Sequence, residues 1–155
     1  MPQTTDQATY RSRIAKLQDA MKEFGLQAMI IEPGSAMLYL TGVRWGRSER
    51  TFALVLPVTG EPAFVLPGFE EMRAREMTPP GVDIRVWQEH ESPYQQIVQV
   101  LKDRDITGGR VAIDESARFF VFDGIRKLAP KFDYVSATPA LKSANVDLTA
   151  PSRRQ

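Results

Sequence analysis

Cysteine is absent from the 155-residue sequence, and histidine occurs once, at His90. The first absence excludes disulfides and thiolate metal sites and fits a reducing compartment, so a cytoplasmic setting is expected. The second limits nucleophilic chemistry, which needs a base beside its nucleophile; a Gly-x-Ser-x-Gly elbow is also lacking. Neither Gly-x-x-x-x-Gly-Lys nor Gly-x-Gly-x-x-Gly occurs after a strand-like run, so no phosphate cradle is expected. Apolar runs are short. Phe52–Leu56 is strand-sized, far below the roughly 20 residues that span a bilayer. The opening Met1-Pro2-Gln3-Thr4-Thr5-Asp6 has no basic stretch followed by an apolar core, so no signal peptide and no membrane partner are expected. An excess of one charge is missing too: 20 Lys and Arg face 19 Asp and Glu, interspersed, for a net charge of +1, so no nucleic acid partner is expected. The sequence has no internal repeat and no low-complexity segment.

What is present reads as one soluble globular domain, 43% apolar and 25% charged. Thr4-x-x-Gln7 offers a capping box, and Tyr10, Ile14, Leu17, Met21 and Phe24 recur at helical spacing until Gly25 stops the helix. Ala28–Ile31 reads as a buried strand, ended by Glu32-Pro33-Gly34, with Ser35 as a cap for a short turn containing Tyr39. Strands are predicted over Thr51–Pro57 and Pro62–Leu66. Only Val58–Glu61 separates them, which forces an antiparallel hairpin over 51–66. A helix from Pro67-Gly68 to Met77 follows, with Phe69, Met72 and Met77 on one side. Then come a strand Asp83–Trp87, a helix from the Ser92-Pro93-Tyr94-Gln95 cap to Lys102 with Tyr94, Ile97, Val98 and Leu101 inward, and a strand Arg110–Ile113. A helix Ala117–Leu128 with Phe122, Ile125 and Leu128 at helical spacing, a strand Asp133–Ser136 and a turn capped by Thr138-Pro139 complete the pattern. The expected fold is α/β: a single domain with a mixed sheet of about six strands and helices on both faces. Residues 1–9 are expected to be a flexible N-terminus, 10–142 the domain, and 143–155 a flexible tail or the start of a linker.

The chemistry-bearing stretches are few. Gly42, Gly46 and Arg47 resemble an anion loop only loosely, because their spacing matches neither phosphate cradle. Glu89-His90-Glu91 has metal-ligand residue types, but neighbours on an extended chain point apart, so a solvated loop is the plainer reading. Asp114-Glu115 follows a strand, where α/β proteins place active groups. Capping of the next helix by Asp114 or Ser116 competes with that reading, as dipole complementation does for Glu70-Glu71. The segment Met37–Arg50 is the richest. An apolar turn delivers Tyr39, Arg44, Trp45, Arg47 and Arg50, residue types enriched at binding hot spots and, for Arg, suited to carboxylates such as a peptide C-terminus. The alternatives are a contact loop for substrate or partner and a surface turn with Trp45 folded back on the core.

Phe24-Gly25-Leu26, Ala28-Met29-Ile30-Ile31, Tyr39-Leu40-Thr41-Gly42, Gly60-Glu61-Pro62 and the strand ending near Trp87 occur in this order. Together they make the chain resemble, over about Tyr10–Leu141, the N-terminal domain of the creatinase/prolidase/aminopeptidase P family of pita-bread metallohydrolases. The resemblance implies a ribonuclease H-like fold. It also implies that catalysis, with two divalent metal ions held by Asp, His and Glu, lies in a C-terminal catalytic domain whose motifs are not in this sequence. This chain is then expected to have no catalytic residues, metal ligands or cofactor of its own. The partners it implies are that catalytic domain and a second subunit in a homodimer, and the role is covering the active site and selecting substrate. Arg44, Trp45 and Arg47 are then the residues expected to reach a substrate across the dimer. The C-terminus departs from the family: Pro139 stands where the pattern Arg-x-x-Lys-Ser-x-x-Glu-Leu has its Arg, and Asp147-Leu148 falls one place late. A chain cut at that point and one that diverges both fit. Two other readings remain: a stand-alone binding or interaction module, and a small enzyme using Asp114 and Glu115 as an acid–base pair.

Overall fold

The computed structural model describes residues 6–149. Six strands form one mixed sheet in the order β4-β3-β2-β1-β5-β6: β1 Leu26–Ile31, β2 Ala53–Pro57, β3 Ala63–Pro67, β4 Asp83–Trp87, β5 Arg110–Ile113 and β6 Asp133–Ser136. β2 is antiparallel to both its neighbours, and every other pairing is parallel. The four-residue link 58–61 therefore reverses the chain as the sequence requires, while the longer connections carry crossover helices. Because β2 alone is reversed, the C-terminal ends of the other five strands and the N-terminal end of β2 share one edge of the sheet.

Both faces are covered, which is why the strands read as continuous apolar runs. Met29, Ile31, Leu54, Leu56, Phe64 and Leu66 point to one face, under α1 (Gln7–Glu23), α2 (Ser35–Thr41), α3 (Glu71–Glu76) and α6 (Thr138–Ser143). Ala28, Ile30, Ala53, Val55, Ala63 and Val65 point to the other, under α4 (Pro93–Asp103) and α5 (Phe119–Leu128). On α1, Leu17 and Met21 are fully buried, each contributing about 1.5–3 kcal/mol of apolar burial.

Element ends differ from expectation where a side chain or turn outcompetes periodicity. Thr4 lies outside the described residues. The N-cap of α1 is Asp6, whose carboxylate accepts from the Thr9 N–H at 2.9 Å, so residues expected in a flexible N-terminus already belong to the helix from Gln7. Phe24, expected inward, is the C-cap and exposed, because Gly25 (φ 69°) turns the chain before it can reach the core. Gly34, not Ser35, holds the cap position of α2, and Thr138 likewise sits inside α6. A 3-10 turn, Gly68–Glu70, precedes α3 and changes the phase of the helix. Ala74 and Met77 therefore face the core, while Phe69 (64% exposed) and Met72 (78%), expected on one side with Met77, face solvent. α5 starts at Phe119 because Arg118 is held extended. Val121 and Ile125 are its buried residues, and Leu128 is exposed.

The expected tail begins as ordered structure. After α6, Asn145 adopts φ 58°, its N–H donates to the Lys142 carbonyl, and the Val146 N–H donates to the Leu141 carbonyl at 3.0 Å. This Schellman closure lays Ala144 and Val146 back on the core. The same closure ends α4, with Asp105 (φ 60°) in the left-handed position and Ile106 buried.

Candidate functional site

The segment from Met37 to Arg50 occupies the edge of the sheet where five strands end. Met37 and Leu40 of α2 are fully buried and anchor it. The Thr41 hydroxyl donates back to the Met37 carbonyl at 2.7 Å, and Gly42 (φ 79°) closes the helix with its N–H on the Leu38 carbonyl at 2.8 Å. The Tyr10 ring lies against Gly42, where a Cβ would fall 2.6 Å from the phenol oxygen. Arg13 supports the same turn: its Nη1 donates to the Tyr39 carbonyl at 2.8 Å and its guanidinium sits 4.0 Å above the Tyr39 ring. Val43 is buried, and the chain then crosses without regular structure to Phe52.

Most of the polar and aromatic groups on this loop are engaged within the chain. Trp45 is half-buried and folded back. Its ring lies 4.5 Å from that of Phe52, tilted by 35°, and Arg73 sits 4.3 Å over it. Of the two alternatives, the surface turn thus describes this side chain. Arg47 donates through Nε to the Pro33 carbonyl at 2.7 Å and through Nη2 to the Ser116 hydroxyl at 2.7 Å. Arg50 forms a two-pronged pair with Glu89, at 2.8 and 3.0 Å, and covers the Phe69 ring at 5.2 Å. That pair holds the Glu89 carboxyl below its ordinary range and the Arg50 guanidinium above its own. Thr51 is buried, accepting from the Trp87 indole N–H at its carbonyl (3.0 Å) and bonding the Tyr94 hydroxyl (3.2 Å). Among the described residues, the Arg44 side chain makes no ion pair or hydrogen bond, and it is exposed.

The fixation has a centre that the sequence reading missed. Glu32, taken only as a strand end, is fully buried. Its carboxylate accepts from the Arg118 backbone N–H at 2.7 Å and from Arg118 Nη2 at 2.6 Å and Nε at 3.2 Å; Arg47 Nη1 stands 3.8 Å away. Arg118 Nη1 donates to the Ser48 carbonyl at 2.7 Å. The one available signal was an acid placed directly after an apolar strand, in a chain with surplus loop arginines.

The remaining candidates resolve into local structure. Asp114 accepts from the Ser116 N–H and hydroxyl, both at 3.0 Å, and Glu115 accepts from the Ser136 hydroxyl, which lowers its pKa. Neither Asp114 nor Ser116 caps α5, whose cap position is Arg118. Glu89 is taken by Arg50, and Glu91 accepts from the Gln88 N–H at 2.7 Å, which leaves His90 in a loop. Among the described residues no three His, Cys, Asp or Glu side chains gather as metal ligands. A cleft of about 510 Å³ opens beside Trp45, Arg47 and Asp114, and one of about 740 Å³ lies between α1 and the 78–83 turn. No helix among the described residues is long and apolar enough to cross a membrane.

Comparison with known proteins gives one consistent result. Residues 13–144 match the Creatinase/Prolidase N-terminal domain. An uncharacterized peptidase of Schizosaccharomyces pombe is 33% identical over 131 residues, which is 76% of this chain and 28% of that protein. The Mycobacterium tuberculosis protein named "Probable dipeptidase PepE" is 36% identical over 98 residues, covering 62% of this chain and 26% of that protein. The chain thus spans about a quarter of the length of these curated relatives. Among solved structures, dipeptidase PepE from Mycobacterium ulcerans superimposes with a TM-score of 0.78 at 30% identity, over 90% of this chain and 37% of that one. The Creatinase/Prolidase N-terminal domain of an X-PRO dipeptidase from Streptococcus pyogenes superimposes with a TM-score of 0.67 over 80% of this chain and 99% of that one; at 18% identity this likeness concerns the fold.

Proposed function

The chain belongs to the creatinase/prolidase N-terminal domain family, and from that premise we propose that it is the non-catalytic part of a dipeptidase, covering the active site and selecting substrate within a dimer. The observation that carries the reading is the loop Val43–Arg50: bonded to the body of the domain along most of its length, yet leaving the Arg44 guanidinium without a partner among the described residues and exposed on the edge where the strands end. A guanidinium held in place without a carboxylate of its own suits the C-terminal carboxylate of a short peptide, and a pre-ordered loop loses little entropy on binding. Trp45 and Arg73 shape the base of that loop; Tyr39, Arg47 and Arg50 hold it rather than meet the ligand. The metal ions and the peptide-cleaving residues belong, on this reading, to the catalytic domain, and the cytoplasmic setting expected from the sequence is part of the same proposal.

The test is a chimera in which this domain replaces the corresponding part of the M. ulcerans dipeptidase, compared with the same chimera carrying Arg44→Ala. Loss of a charge-assisted bond to substrate should raise KM about tenfold or more while kcat stays within about twofold. An unchanged KM in an active chimera would remove the substrate-selecting role. Sedimentation of the chimera as a monomer at all concentrations would remove the dimer.

A further inference from the structure

Glu32 is hard to account for by stability alone. A fully buried carboxylate is costly to desolvate, and apolar replacements of buried ion pairs are often as stable or more so. An apolar group, however, cannot aim hydrogen bonds. Through Arg118 and Arg47, Glu32 organises two guanidinium forks that reach three separate backbone segments: the Pro33 carbonyl after β1, the Ser48 carbonyl in the middle of the loop, and Ser116 after β5. The carboxylate also takes the Arg118 N–H, which holds that residue extended and sets where α5 begins. The planar forks fix direction as well as distance, which a lysine ammonium would not do.

We propose that Glu32 is a positioning residue, the centre of a clasp with Arg118 and Arg47 that sets the conformation of residues 43–50 and hence the direction in which Arg44 is presented. The inference rests on the contact-loop reading above but can be tested without it. The clasp grips the loop at Arg47 and Ser48, just past the unpaired residue, while Gly42 packed on Tyr10 and buried Val43 grip it just before. Arg44 is therefore held between two fixed points. Releasing one of them should free the tip while leaving the sheet and both cores in place.

The experiment uses this chain alone. Glu32→Gln keeps the size of the side chain and removes its charge. Its rate of tryptic cleavage after Arg44, Arg47 and Arg50 under native conditions is compared with that of a core variant of equal global stability, such as Ile125→Val on the opposite face, with urea used to match the two. Cleavage in the loop at least about tenfold faster in Glu32→Gln, with hydrogen exchange of 43–50 raised to match, supports the clasp, since local opening then exceeds what global unfolding supplies. Equal rates in the two variants would overturn it, because Glu32 would then be an ordinary stabilising residue. Should Glu32→Gln fail to fold, Arg47→Gln leaves the Glu32–Arg118 pair intact and is read at Arg44 and Arg50: faster cleavage supports the clasp and the parental rate overturns it. Failure here would leave the chimera test standing, and failure there would leave this result standing.

Discussion

Substituting Gly42 by alanine strikes the hinge between α2 and the loop through two separable effects. The residue holds φ 79°, a region that costs an L-amino acid about 1–2 kcal/mol. The new methyl would also lie 2.6, 2.7 and 2.9 Å from three atoms of the Tyr10 side chain. Tyr10 is only partly buried and those atoms are at its far end, so the ring can swing aside, losing its packing and the longer-range contact with Arg13 at 5.7 Å. That displacement adds about 0.5–1 kcal/mol, for a total of about 1.5–3 kcal/mol, a large share of the stability of a domain this size. Urea unfolding followed by circular dichroism measures it, with an unchanged m-value to show that the denatured state is not altered. A double-mutant cycle with Tyr10→Ala separates the effects: removing the ring should relieve the steric part and leave the backbone part. The double variant should therefore be more stable than the summed single losses imply, by about 0.5–1 kcal/mol. A Gly42→Ala loss below about 0.5 kcal/mol would refute the backbone argument. Strict additivity would refute the assignment of Tyr10 as the obstructing group.

Other perturbations test the packing and the charge network. Gly124→Ala should destabilise by about 1–3 kcal/mol even though alanine favours a helix, because the new methyl would meet the body of the Tyr94 ring at 2.5–2.7 Å; a stabilised variant in thermal unfolding would contradict this. Trp87→Phe should cost about 1–3 kcal/mol by leaving the Thr51 carbonyl without the buried indole donor at 3.0 Å, and parental stability in urea would show that water replaces it. Asp83, bonded to Arg85 and Arg104, has its pKa held below the ordinary 3.8, so its contribution is present above about pH 4 and is lost as pH falls further. Asp83→Asn should flatten the acid limb of a stability–pH curve, and an unchanged limb would count against it. Burial pushes the Tyr134 phenol from 10 up to about 12, so its stabilisation is whole below pH 10 and fades as pH rises toward about 12. After allowance for partial exposure the loss is at most about 2 kcal/mol, and it should be missing from Tyr134→Phe in alkaline unfolding.

Periodicity made most of the fold legible. The six strands, the antiparallel hairpin and the Ser92-Pro93 helix start follow from apolar runs, a four-residue link and an N-cap, all local signals. Misreadings came where a non-local or small geometric event intervened. One 3-10 turn at Gly68–Glu70 was enough to turn Phe69 and Met72 outward. Asn145 and Asp105 close helices in a left-handed conformation usually assigned to glycine, so Val146 reads as tail in the sequence although it packs on the core. The loop Met37–Arg50 stands out as a cluster of residue types, but the orientation of its members does not. Trp45 on Phe52, and Arg47 on Pro33 and Ser116, are tertiary facts with no local signature. Glu32 and Arg118 lie 86 residues apart, and no spacing rule joins them.

That hidden network changes how the basic loop should be understood. Four arginines between residues 44 and 50 and beside them, counting Arg118, would on sequence alone suggest an electropositive patch that gathers anions by long-range attraction. Glu32, Glu89 and Glu49 set three carboxylates against Arg118, Arg47 and Arg50 at contact distance, and the whole chain carries a formal net charge of only +1. Little field is left to steer a ligand from afar, so on the proposed reading recognition at this edge depends on short-range fit around Arg44, the loop guanidinium without a partner among the described residues. Its affinity for a carboxylate should therefore show a weak salt dependence, near that of a single screened pair, whereas a cooperative cationic patch would lose binding steeply as salt rises. Arg47 and Arg50 act chiefly to hold the loop still, and Arg44, without a partner among the described residues, is the residue to which the proposed recognition falls.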